Sequence, residues 1–453
     1  MNLYRKLLAR AEEGRPVRVG LIGAGKFGSM FLAQARATPG FHVLGIADLS
    51  PDRAKAALAA TGWDTGAALA PSFEDALRTG RTHLTDSAED LIRADGLDVV
   101  IDATGSPAAG IAHALLAAGN GRHIIMVNVE ADVLAGPWLA AKFASAGLVY
   151  SMAYGDQPAL VCEMVDWARA CGFSVVAAGK GTKYLPQYNR STPDTVWDHY
   201  GLTPEEAARG GMNPQMFNSF LDGTKSAIEM AAISNATGLV APRNGLAFPP
   251  AGVHDLADIL KPKASGGILD EAGTVEVVSS QERDGRDVVE DLRWGVYVTF
   301  EAKDEGAAGD YARRCFGEYQ VPRDRSGRYG ALWRPAHLIG LELGISVASA
   351  ALRGEPTGCS TDFRSDVVAV AKKALAPGEM LDGEGGFTVW GRLARAEDSL
   401  AQRALPIGLA HKVKLVRAVE EGAVVTWDDV EIASSPAVEA RRAMEAMARP
   451  AAI

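Results

Sequence analysis

The stretch "FLDGTKSAIEMA" sets Asp222, Lys225 and Glu229 along the first turns of a segment that is otherwise Ala, Ile and Met. A lysine at the start of an apolar helix has a clear chemical use. Its ammonium polarises a carbonyl and, where desolvation lowers its pKa, supplies the proton that the reduced oxygen needs. Glu229, one turn on, is placed to hold Lys225. Asp222 is placed to cap the helix and to accept from a substrate hydroxyl. The plainer alternative is an exposed i,i+4 pair worth about 0.3–0.5 kcal/mol, for which the order Lys then Glu is the poorer one. Upstream, "GKGTKYL" carries Lys180 and Lys183, two cations suited to the anionic end of a substrate or to a solvated loop.

Glu130 and Asp132 stand two residues apart after an apolar strand, and Asp156 lies in "YGDQP". Together these three offer hard oxygen ligands for a divalent cation such as Mg²⁺ or Mn²⁺. Otherwise they are polar groups at a sheet edge, with Glu130 and Asp156 still able to touch substrate. His337, beside Arg334, is a second candidate proton donor or a structural helix-start histidine. Arg323, Arg325 and Arg328 form a basic loop cluster, closing over a phosphate or simply solvated.

Hydride chemistry needs a cofactor site, and the N-terminal segment supplies one. "VRVGLIGAGKFGSMF" runs from an apolar strand through Gly23-Ala24-Gly25-Lys26-Phe27-Gly28 into a helical pattern, and a second strand ends at Asp48. In that context the G-x-G-x-x-G turn predicts a dinucleotide-binding Rossmann fold. Gly23 permits the tight turn, Gly25 lets a pyrophosphate approach the backbone, and Gly28 lets helix and strand pack closely. The helix N-terminus, with Lys26 and Phe27, faces the phosphates. Asp48 is positioned for the ribose hydroxyls, which favours NADH. Ser50, Arg53 and Lys55 nearby soften that preference, so NADPH stays open. A further buried strand ends at "ATGSP", placing Thr104 and Gly105 at the nicotinamide edge.

The elements that must position these groups fall into an α/β chain of three parts. Residues 15–150 read as the Rossmann domain. Residues 151–355 read as an α+β substrate and catalytic domain, with 190–222 polar and irregular and "YGALWRPAHLIGLELGISVASAALRG" a long apolar helix started by Pro335 and ended by Gly354. Residues 356–453 read as a small β-rich domain of short strands and glycine turns. The 453 residues carry a formal net charge of -10, which disfavours nucleic acid and gives no sign of a membrane surface. The four cysteines show no metal-ligand spacing and read as reduced thiols of a cytoplasmic protein, and the first residues lack the pattern of a signal peptide.

On "GKGTKYL" and "DGTKSAIEMA", placed after a Rossmann segment, the first 350 or so residues resemble the homoserine dehydrogenase family. The tail resembles an SAF (β-clip) domain. The combination resembles the 1-deoxy-D-xylulose 5-phosphate reductoisomerase-like enzymes. That resemblance implies reduction with isomerisation, NADPH, a divalent cation, isoprenoid precursor synthesis and a homo-oligomer. The departures from homoserine dehydrogenase are informative. With the family's helix glycine placed on Gly223, its Asp falls on Lys225 and its Lys on Glu229. Its ammonium-gripping acid falls near Pro214-Gln215, and its nicotinamide-edge lysine on Glu130. The resemblance with these departures implies an anionic substrate rather than an α-amino acid. The expected function is NAD(P)H-dependent reduction of a small anionic hydroxy-carbonyl compound, best matched by a reductoisomerase. The alternatives are alcohol or semialdehyde oxidation without rearrangement, and a non-catalytic NAD(P)-binding sensor.

Overall fold

The computed structural model describes residues 2–302 and 306–448. They fall into two compact units, one formed by residues up to Leu160 with Leu338–Thr361 and the helix Pro436–Ala448, the other by Val161–His337 with Asp362–Ser435.

The first unit is built on seven parallel strands: β1 (Val17–Ile22), β2 (Phe41–Ala47), β3 (Leu69–Ala70), β4 (Thr82–Thr85), β5 (Val99–Asp102), β6 (His123–Met126) and β7 (Tyr150–Met152). Their order is β3-β4-β2-β1-β5-β6-β7. The sheet runs outward in both directions from β1, so its carboxyl edge opens a crevice between β1 and β5, the switch point of a doubly wound fold. The strands are near-continuous Val, Ile and Leu because helices cover both faces. Val17, Val19, Leu21, Ile101 and Ile125 are fully buried in this core, together with Leu343 and Val347.

The second unit holds a four-stranded sheet, in the order β11-β10-β8-β9, made of β8 (Ser174–Thr182), β9 (Thr274–Ser279), β10 (Val296–Glu301) and β11 (Tyr329–Arg334). Two small sheets follow, β12 (Ser365–Ala371) with β14 (Val389–Arg395), and β13 (Met380–Asp382) with β15 (His411–Leu415) and β16 (Val430–Glu431). The helix Thr224–Thr237 packs against β9, β12 and β14. It has no polar side because it is covered on more than one face, and all but Lys225 and Ala236 of its residues are buried. Gly223 introduces it at φ 91°, a left-handed conformation that a residue with a Cβ adopts only under strain.

Three expectations change here. The long helix begins at Gly344, not near Pro335, because "YGALWR" alternates sides as β11 and pairs antiparallel with β10. Gly354 does end it, at φ 70°. Residues 190–222 are not irregular but carry helices Val196–Tyr200, Pro204–Arg209 and Pro214–Leu221. The unit boundaries also differ from 151–355 and 356–453. The helix Gly344–Arg353 packs with the parallel sheet, and the helix Pro436–Ala448 belongs to that unit as well.

Candidate functional site

The glycine turn leaves β1 and enters the helix Lys26–Ala35. Gly23 has φ 94°, and a Cβ there would lie 2.7 Å from the Ala103 carbonyl oxygen. A Cβ on Gly28 would lie 2.2 Å from the Gly23 oxygen, so this position tolerates no side chain. Gly25 differs. It caps the helix, and a Cβ there would meet nothing within 4 Å. The turn therefore combines two close packing contacts with an open cradle over the helix N-terminus, where Lys26 is exposed and Phe27 half-buried. First-turn N–H groups have no intrahelical acceptor, so the cradle suits a pyrophosphate.

Asp48 stands at the end of β2, but it is not an open acceptor. Its side chain is fully buried and accepts from the N–H groups of Ala24 (2.9 Å) and Ser50 (2.9 Å). Arg53 adds a bidentate clamp, Nε to Oδ2 at 3.2 Å and Nη2 to Oδ1 at 2.7 Å. Burial pushes the Asp48 carboxyl up, but Arg53 and the two backbone donors outweigh it and hold it below the usual range. The expectation that Asp48 offers free oxygens to a ribose is corrected: its acceptor capacity is committed, and the group left facing outward is the guanidinium of Arg53, 60% exposed.

At the end of β5, the Thr104 N–H (3.2 Å) and hydroxyl (2.8 Å) both donate to Asp102 Oδ1. Gly105 follows at φ 66° in open space. The fold thus brings Gly23, Gly25, Lys26, Phe27, Gly28, Asp48, Thr104 and Gly105 to one sheet edge.

The acids set aside for metal do not converge. Asp132 points into the core of its unit, accepting from the Tyr150 hydroxyl (3.0 Å) and the Ser360 hydroxyl (2.7 Å), and burial pushes its carboxyl up to about 6. Glu130 is half-buried on the first turn of the helix Val129–Ser145, and Asp156 is buried and accepts from the Gln157 N–H at 2.9 Å. Among the described residues no group of three or more His, Cys, Asp or Glu is placed to hold a metal ion. The residues therefore do not fit the divalent cation that the resemblance implies.

In the second unit the three charges of "DGTKSAIE" separate. Asp222 is fully buried and forms an ion pair with Lys372 at 2.8 Å, while its other oxygen accepts from the Thr224 N–H at 2.9 Å. Lys372 also donates to the carbonyl oxygens of Ser191 (2.7 Å) and Gly386 (2.8 Å). Burial pushes the Asp222 carboxyl up, with Lys372 opposing. Glu229 pairs with Lys180, both inside, on facing β8 and helix. Three roles are corrected by these contacts. Glu229 is committed to Lys180 rather than free to steady Lys225. Lys180 is neutralised rather than available to an anion, and Asp222 is sealed from any substrate hydroxyl. A carboxylate in the interior is tolerable only with such a partner.

Lys225 and Lys183 are partly exposed. Lys183 donates to the His199 carbonyl oxygen at 2.6 Å and lies 5.6 Å from the Tyr200 ring centroid. Burial, then the nearby Arg293, lower its pKa, while Asp287 opposes. His337 is half-buried, with its Nδ1 2.8 Å from the Trp294 carbonyl oxygen. Arg328 is paired with Glu301.

Sequence reasoning missed Lys372, His113 and Glu276. Glu276, on β9, is buried and accepts from the N–H groups of Ala247, Phe248 and Val277, with burial pushing it up to about 7. An acid inside the apolar run "TVEVV" was the available signal.

Residues 155–343 match the family described as "Oxidoreductase DRL, catalytic domain". That segment is thus similar to the catalytic domain of an oxidoreductase. The match covers less than half of the chain's length. No curated protein sequence matches the chain. Among solved structures, similarity is found to an NAD binding oxidoreductase from Klebsiella pneumoniae, at 18% identity and TM-score 0.27, covering 39% of this chain and 45% of that one. The chain thus spans about half the length of that protein. A probable dehydrogenase from Thermotoga maritima matches at 11% identity and TM-score 0.35, covering 75% of this chain and 90% of that one. An apo scyllo-inositol dehydrogenase from Lactobacillus casei matches at 10% identity and TM-score 0.38, covering 76% and 91%. Scores this low name no substrate for this chain. Among the described residues no helix is long and apolar enough to cross a membrane.

Proposed function

We propose that the protein reduces a small anionic hydroxy-carbonyl compound, with NADPH preferred over NADH. One observation carries the substrate class. The carboxylates able to grip an ammonium, Asp222 and Glu229, are turned inward and neutralised by Lys372 and Lys180. Lys183, whose ammonium donates to a carbonyl oxygen and not to a carboxylate, is partly exposed in the same unit. A site with that sign favours a phosphate or carboxylate and disfavours an α-amino acid.

A nicotinamide cofactor, when bound, would supply the hydride. This chain's residues do the rest. The Gly25 cradle and the first turn after it hold the pyrophosphate, and Arg53, steadied by Asp48, meets a 2′-phosphate. Lys225 polarises the carbonyl and donates the proton to its oxygen. Lys183 holds the anionic end. 1-Deoxy-D-xylulose 5-phosphate is the first substrate to try. The reading commits to reduction and leaves isomerisation to be read from the product. Product NMR separates the two, since only isomerisation changes the carbon skeleton. The test of the reading is Lys225→Ala, which is expected to abolish turnover while dinucleotide binding stays within about twofold. Wild-type rates in that variant would overturn it.

A further inference from the structure

Asp102 closes β5 with its side chain fully buried, and four donors converge on it. Oδ1 accepts from the Thr104 N–H, the Thr104 hydroxyl and the Asn128 amide (3.2 Å). Oδ2 is met by His113 Nδ1 at 2.5 Å, from the helix Pro107–Gly119 that follows the loop. Asn128 is itself a connector. Its amide donates to the Thr104 hydroxyl (3.2 Å) and the Ser106 carbonyl oxygen (2.8 Å), and its own oxygen caps the next helix at the Ala131 N–H (3.1 Å). The network therefore stitches loop 103–106 to the turn after β6, both at the carboxyl edge of the sheet, around a single carboxylate.

A carboxylate in that position needs a donor on each oxygen, because an orphaned buried acceptor is costly. Thr104 and Asn128 use Oδ1, and among the described residues only His113 serves Oδ2. The side chain of His113 is 17% exposed, and its Nδ1 is committed to Asp102. We propose that His113 is a positioning residue for the nicotinamide half of the cofactor, acting through Asp102 on Thr104 and Asn128. It fixes the loop that meets the nicotinamide ribose without touching the cofactor. This rests on the dinucleotide reading of the same sheet edge.

The experiment compares binding of NADPH, followed by its fluorescence, with binding of adenosine 2′,5′-bisphosphate, which carries only the adenosine half. The proteins are the wild type, His113→Ala, His113→Asn and Thr104→Val. Losing a donor to a buried carboxylate is expected to weaken NADPH about tenfold in His113→Ala and in Thr104→Val. The bisphosphate is expected to bind both variants within about twofold of wild type. His113→Asn, whose amide nitrogen can stand in for Nδ1, restores NADPH binding, and at saturating NADPH the kcat of His113→Ala returns towards wild type. Unchanged NADPH affinity in His113→Ala overturns the proposal. So does a parallel loss of both ligands, which reports a loosened fold. A wild type that binds neither ligand brings down the cofactor reading, and the proposal with it.

Discussion

The ammonium of Lys180 and the carboxylate of Glu229 meet inside the second unit, joining β8 to the helix Thr224–Thr237. Both groups are shielded from water, so each is tolerable only with the other. Lys180→Met alone or Glu229→Leu alone is expected to cost about 3–5 kcal/mol, because either leaves an uncompensated charge. The double substitution is expected to return to within about 1–2 kcal/mol of wild type. Urea denaturation of the four proteins checks this. Additive losses in the double variant would mean that the two side chains do not form a pair.

Arg53 is held by Asp48 and faces outward. Arg53→Ala is expected to raise the KM for NADPH about tenfold or more and to leave that for NADH little changed, since only NADPH carries the 2′-phosphate. The variant also uncovers Asp48, which then favours the ribose hydroxyls. Steady-state kinetics with both cofactors measure the ratio. An equal loss for NADH and NADPH would assign Arg53 a purely structural role.

Lys225 is the cation on which the chemistry is placed. Lys225→Ala is expected to lower kcat by about 10²-fold or more, the usual size of a positioned proton donor. Lys180→Met, by contrast, is expected to act chiefly on stability. A stopped-flow measurement of NADPH oxidation, read beside cofactor binding, distinguishes loss of chemistry from loss of fold.

Asp132 carries a pH signature. Burial raises its carboxyl from 3.8 to about 6 in the folded protein. A raised folded-state pKa means that the native state holds the proton more tightly, so this stability is complete below about pH 4 and is lost as pH rises through about 6. The loss amounts to about 3 kcal/mol at one pH unit per 1.36 kcal/mol. Asp132→Asn removes that slope. Subtracting its urea-midpoint profile from the wild type's between pH 4 and 7 leaves a descent, and a flat difference would contradict the placement of Asp132. Glu276, raised to about 7, contributes in the same sense but is common to both proteins.

The legible parts of the molecule were local ones. "GAGKFG" between a strand and a helix specifies its turn through three glycines, with Gly28 packed on the Gly23 oxygen inside the motif, although Gly23 also packs on the distant Ala103. The ending of the helix Gly344–Arg353 at Gly354 is also a one-residue matter. The charge partners were not legible. Nothing in the pattern around Glu229 points to Lys180, or around Asp222 to Lys372, because sheet and helix packing bring those pairs together from distant segments. An i,i+4 spacing looked sufficient to join Lys225 to Glu229, yet the two lie on a helix wrapped by three strands, where burial of Glu229 called for a partner on the sheet. The helices between 190 and 222 were within reach. Thr203, Pro204 and Glu206 form a capping box with proline at the first helical position. Polar composition masked that signal.

The measurement that bears most directly on the central claim is NADPH oxidation by the purified protein with 1-deoxy-D-xylulose 5-phosphate and other phosphorylated or carboxylated hydroxy-carbonyl compounds, beside their neutral counterparts and an amino-acid semialdehyde. Oxidation is expected with the anionic compounds and not with the neutral or ammonium-bearing ones. A protein that binds NADPH yet oxidises it only with the semialdehyde, or with none of the anions, would contradict the account.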